Sequence, residues 1–228
     1  MLDRLVLKRL VCVFALALGM ALASSANAQV VLTFAAKRAA GPGDFPHSIV
    51  RIDGVTESGE TIHRAFGYMP VEQSLGMMLG GRVAGAVLEK NETFPWELVT
   101  PYLSIQIPDT ALDAVIERFQ YWNGNENGGY DFFSQNCIAF LADLTRTIGL
   151  VVPQGDHLSP AGFLSDLAAL NPPGSHPGIL ATPLPNPAPG DIPAERPEAA
   201  GSEVPPRERP ATLTASDPAS AGPVRTSH

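Results

Sequence analysis

The spacing of apolar and polar side chains changes period along this chain, and each change marks an element. Val30 to Phe34 is a short apolar run fit for a buried strand. After a Gly/Pro-rich loop from Ala39 to Pro46, His47 to Ile52 is predicted as a second strand, with Ile49 and Val50 apolar. Asp53-Gly54 reads as the start of a turn, and Thr61 to Tyr68 returns as a third strand, making an antiparallel hairpin. A short helix over Pro70 to Leu79 is broken by Gly80-Gly81. Val83 to Leu88 and Tyr102 to Ile107 are further strands, with Asn91 to Pro101 as loop between them. Asp109 or Thr110 caps a helix to about Tyr121, whose core face is Leu112, Val115, Ile116 and Phe119. Asn123 to Gly129 is loop and delivers Tyr130, Phe132 and Phe133 to the next element.

That next element is the one on which the functional reading turns. Cys137, Leu141, Leu144 and Ile148 recur at helical spacing, Gly149 is a natural stop, and Asn136 is a candidate N-cap. Pro160 to Leu170 is a last short helix. Strands first and helices later predict an α+β domain with one mainly antiparallel sheet packed on helices.

The two ends differ from this body. Arg4, Lys8 and Arg9 precede an apolar run from Leu10 to Ala23 and then Ala26-Asn27-Ala28, the parts of a secretory signal over residues 1–28. From Asn171 to His228 the chain is rich in Pro, Ala, Gly and Ser with no apolar period, which predicts a disordered tail. The folded domain is therefore expected over 29–170, in a periplasmic or secreted protein with no membrane segment once the signal is removed. The formal net charge is −8, and it is more acidic still without the first 28 residues. Such a balance argues against nucleic acid as a partner, since binding it needs basic patches.

Export changes the meaning of the cysteines. The chain has two, and Cys12 lies within the signal, so Cys137 is left with no partner for a disulfide. An unpaired thiol in an oxidising compartment calls for burial or for chemical use. A cysteine in the first turn of a helix meets free N–H groups and the positive end of the dipole, which favour thiolate. A thiolate nucleophile needs a base and a group that orients the base. His47, opening a strand after a loop, is the candidate base. His63 on the returning strand is a candidate orienting group, with Gln106 as the alternative. Asn136, or the N–H of Cys137, could donate to an oxyanion. Each has a plainer role too: Cys137 as core residue, Asn136 as cap, the histidines as strand residues. The other histidines are scattered, no cluster has metal-ligand spacing, and no cofactor or metal is expected.

A histidine opening a strand in FPHSIVRIDG, a strand ending in HRAFGY, a helix, an aromatic approach and then QNCIAFLADL form a sequence of segments that resembles the permuted NlpC-like branch of the papain-like fold. That branch includes the lecithin retinol acyltransferase-like proteins and a set of exported bacterial domains. The resemblance covers about Pro46 to Leu150. It implies Cys137 as nucleophile, His47 as base and His63 where many members have a third polar group. The chain departs from the pattern at Pro46, where glycine is frequent, and in a longer spacing from His47 to His63. The activity implied is an exported cysteine amidase or peptidase acting through an acyl-thioester, with peptidoglycan peptides first among amide or ester substrates. A non-catalytic binding domain on the same fold, or an acyltransferase using the same residues, is the alternative.

Overall fold

The computed structural model describes residues 29–124 and 126–187. The expected signal, and the part of the expected tail beyond residue 187, lie outside the described residues. Five strands form one antiparallel sheet: β1 (Gln29–Lys37), β2 (His47–Val55), β3 (Thr61–Pro70), β4 (Gly85–Lys90) and β5 (Val99–Ile107). Their order across the sheet is β4-β3-β2-β1-β5. Among the described residues the α-helices are α1 (Leu75–Met78), α2 (Asp109–Asn123), α3 (Cys137–Thr147) and α4 (Pro160–Leu170). The expected α+β class with a mainly antiparallel sheet is the one observed.

Period-two alternation decides what each face of the sheet meets. Val30, Leu32 and Phe34 of β1, Val50 and Ile52 of β2, and Phe66 and Tyr68 of β3 point to the helices. There they join Phe119, Trp122, Phe140, Leu141, Leu144 and Phe163 in one continuous core. The intervening residues Ala35, Ile49, Ala65 and Val99 face the other way, under Phe94 and Trp96 of the β4–β5 connection. The helical face read from the sequence around Cys137 is the buried face of α3, widened by Phe140. Gly149 ends it with φ +80°, a conformation that glycine enters without a Cβ penalty.

The strands overrun their predicted ends. Asp53-Gly54 is not a turn: β2 continues to Val55, and the reversal falls at 56–60, where Thr56 N–H donates to the Glu60 carbonyl at 2.9 Å. β1 runs on to Lys37 and β4 to Lys90, so both lysines are strand residues.

The expected boundary at Asn171 is also corrected. Asn171 Nδ2 donates to the Val151 and Leu167 carbonyls at 2.8 Å each, closing the end of α4. Beyond it, Gln106 N–H donates to the Gly178 carbonyl (2.8 Å) and Leu180 N–H to that of Ser104 (2.9 Å), so this segment covers the open edge of β5. It then passes to the second face, where Asn186 Nδ2 donates to the carbonyls of Trp96 (3.0 Å) and Val99 (2.8 Å). Composition read this stretch as tail, but an edge strand's unpaired N–H and C=O groups can be satisfied by any extended backbone. Apolar periodicity is not required for that.

Candidate functional site

Asn136 starts α3 as its N-cap. Its Oδ1 accepts from Ile138 N–H at 2.9 Å and Ala139 N–H at 3.1 Å, and its Nδ2 donates to the Phe132 carbonyl at 2.9 Å. The side chain is thus committed to holding the helix start and the aromatic approach, the plainer of its two expected roles. Cys137 is the first helical residue, where its N–H has no acceptor within the helix. The neighbouring strand is tied to this point: Ser48 Oγ donates to the Cys137 carbonyl at 2.6 Å.

His47, one residue earlier, sits at the very end of the sheet. His47 and Cys137 line one cleft, together with Phe45, Gln73, Tyr130, Asn136 and Leu158 among others. The cleft walls are otherwise largely apolar. His47 Nδ1 is buried without a hydrogen-bond partner.

His63 and Gln106 are elsewhere. In the β2–β3 register His63 stands opposite Asp53, six residues along β2 from His47, which is about 20 Å at the rise of a strand. Its Nδ1 lies 3.4 Å from Asp53 Oδ1, at an exposed position. Gln106 pairs with Val31, six residues along β1 from Lys37, the partner of His47. Neither lines the cleft. The expectation that His63 or Gln106 orients His47 is corrected on distance: β2 runs straight through the supposed turn and carries the hairpin's reversal to the far end of the sheet.

Two buried lysines occupy the surroundings of His47 instead. Lys37, 6% exposed, pairs with Asp44 of the preceding loop at 2.5 Å. Lys90, 8% exposed, comes from β4; its Nζ contacts Met69 Sδ at 2.7 Å and lies 5.6 Å from the Phe94 ring centre. Burial, then the charges of Lys90 and Lys37, hold the His47 imidazole down at about 4, against a smaller opposing pull from Asp44. Burial likewise lowers Lys90 to about 8. The Cys137 thiol is pushed up by its burial, which outweighs contacts to Ser48 and to the amides of Cys137 and Ile138. Loss of water at this buried position therefore opposes the thiolate that the helix start favours. Burial thus disfavours both the thiolate of Cys137 and the imidazolium of His47, which line the same cleft.

Acid titration of folding follows from His47. Its folded value lies below the ordinary 6.5, so between pH 6.5 and 4 the unfolded chain takes up a proton that the native chain refuses. Stability should fall as pH drops through that window, by up to about 3 kcal/mol, and the loss should be absent in His47→Gln. Urea titrations at pH 7.5 and 4.5 on both proteins check this. The lowered carboxyls of Asp44 and Asp131 start from 3.8, so most of their own loss falls below pH 4.5.

Ser48, Lys37 and Lys90 were missed by sequence reasoning. Ser48 had a signal, since it shares the alternation of Val50 and Ile52 and so faces the helices. The lysines had none, because their strands were read as ending before them. No group of three or more His, Cys, Asp or Glu among the described residues could hold a metal ion, and no helix there is long and apolar enough to cross a membrane.

No family model matches the chain, and no curated protein matches it in sequence. Among solved structures, the crystal structure of the type VI secretion system effector TseH is similar over 64% of this chain and 90% of that chain, at 13% identity and a TM-score of 0.44. The functional reading below rests on the residues of the site itself.

Proposed function

We propose that this protein is an exported cysteine hydrolase of the papain-like kind, acting on an amide or ester carbonyl, with peptidoglycan peptides as the first substrate class. The observation that carries the reading is the shared cleft of Cys137, at the start of α3, and His47, at the start of β2. Because burial disfavours both the thiolate and the imidazolium, proton transfer accompanies attack instead of preceding it. His47 takes the thiol proton as Cys137 Sγ bonds to the carbonyl carbon. The oxyanion faces the N–H of Cys137, and the leaving group departs with the proton from His47. Water then cleaves the acyl-thioester with the same residue as base. An amine or alcohol acceptor in place of water would make the reaction an acyl transfer.

The test is an activated ester, p-nitrophenyl acetate, in single turnover. Wild type should give a burst of p-nitrophenol and an acetylated Cys137 visible by mass spectrometry. Cys137→Ala should abolish the burst, and His47→Ala should slow it by about 10²-fold or more, the usual worth of a positioned base. A second reading has its own support: Cys137 is 5% exposed and nothing orients His47 Nδ1. On that reading the domain binds without reacting, and wild type and Cys137→Ala should be indistinguishable in the same assay.

A further inference from the structure

Among the described residues, no Asp, Glu, Lys or Arg lines the cleft that Cys137 and His47 share. Besides that pair its polar members are Gln73, Tyr130 and Asn136, and the Asn136 amide is taken up by the helix start and the Phe132 carbonyl. The apolar wall comes from separate parts of the chain: Phe45 before β2, Met77 of α1, Phe132 and Ile138 about the start of α3, and Leu158 before α4. Phe45 and Phe132 meet edge to face with ring centres 5.7 Å apart, which steadies one side of it. Leu158 belongs to the wall and is nevertheless 72% exposed. Leu75 and Leu79, on either side of Met77, and Phe133, next to Phe132, are exposed as well, so apolar surface continues past the mouth. Large apolar side chains left open to water around a cleft mark a groove that an apolar ligand fills.

We propose that the cleft selects an uncharged, apolar acyl group: the carbonyl attacked by Cys137 carries a hydrocarbon substituent that lies against Phe45, Met77, Phe132 and Leu158. A fatty chain and an apolar amino-acid side chain share this chemistry. The inference rests on Cys137 and His47 being the reacting pair, and it says what that pair is offered. A carboxylate or ammonium placed against this wall would lose water and find no opposite charge in return. A hydrocarbon gains from leaving water in proportion to its area. Among peptides, those with an apolar residue at the scissile carbonyl are therefore preferred to those with an acidic or basic one there.

The experiment compares kcat/KM over two sets of p-nitrophenyl esters, each corrected for the rate with Cys137→Ala. The first set is acetate, butyrate and octanoate; the second is N-acetyl-phenylalanine, N-acetyl-glutamate and N-acetyl-lysine. A rise of about 10-fold or more from acetate to octanoate would identify a fatty chain as the source of the apolar group. A preference of the same size for the phenylalanine ester over the glutamate and lysine esters would identify an apolar residue. Leu158→Glu, a change at an exposed position, should lower the preferred ester's advantage over acetate several-fold, because it puts a charge on the wall. No preference in either set, or an advantage that Leu158→Glu leaves unmoved, would overturn the assignment. Failure of the hydrolase reading looks different: no ester, acetate included, would then react faster with wild type than with Cys137→Ala.

Discussion

Lys90→Met should make the protein more stable at pH 7, by about 2–3 kcal/mol, although it removes a buried side chain. The ammonium is buried at 8% exposure against a thioether and near an aromatic ring, and neither repays the water it has lost. The sign follows from its titration. Burial lowers Lys90 from the ordinary 10.5 to about 8, so below pH 8 it is charged in both the folded and the unfolded chain and the full penalty is present. Between pH 8 and 10.5 the native chain sheds the proton first and the penalty fades. Methionine, of similar length and apolar, has no such penalty. Urea midpoints for both proteins should therefore differ most below pH 8 and converge towards pH 10.5. A variant less stable than wild type at pH 7 would overturn this sign.

Gly54→Ala should cost about 3–4 kcal/mol and leave the chain partly unfolded at moderate temperature. Gly54 lies within β2 at φ +133°, a backbone region that side chains rarely adopt. A Cβ built there runs into the Gln29 carbonyl of the paired strand and reaches 3.0 Å from Val30 Cα. The obstacle is backbone on the neighbouring strand, so relief requires prising β1 from β2 at the end of the sheet remote from the cleft. Alanine at Gly59, also at positive φ but with open space around it, should cost only the conformational strain, about 1 kcal/mol. Thermal melts of the two variants side by side separate a turn glycine from one held by close approach of two strands.

Gly54 also illustrates where local signals mislead. Asp-Gly is a strong turn signal because glycine tolerates positive φ. Here the same tolerance serves a strand passing close under its neighbour's carbonyl, and pairing with β1 on one side and β3 on the other overrides the dipeptide. That extra length of β2 removes His63 from the site. The lysines fail for a related reason, since strand ends were judged from apolar runs and a polar residue was taken to end the strand.

The sequence by itself determined the α+β class, the helical face of Cys137, Leu141, Leu144 and Ile148, the cap at Asn136 and the pairing of His47 with Cys137 as candidates. These depend on period, on capping chemistry and on a histidine opening a strand, all of which are local. Only the tertiary structure decided that the segment to residue 187 closes the β5 edge, that His63 and Gln106 lie at the other end of the sheet, and that Lys90 stands by His47. It also buried the thiol, which pushes its titration up. Each of these is set by which strands lie side by side, in what register, and by how much water is left around a group, quantities that no window of neighbouring residues contains.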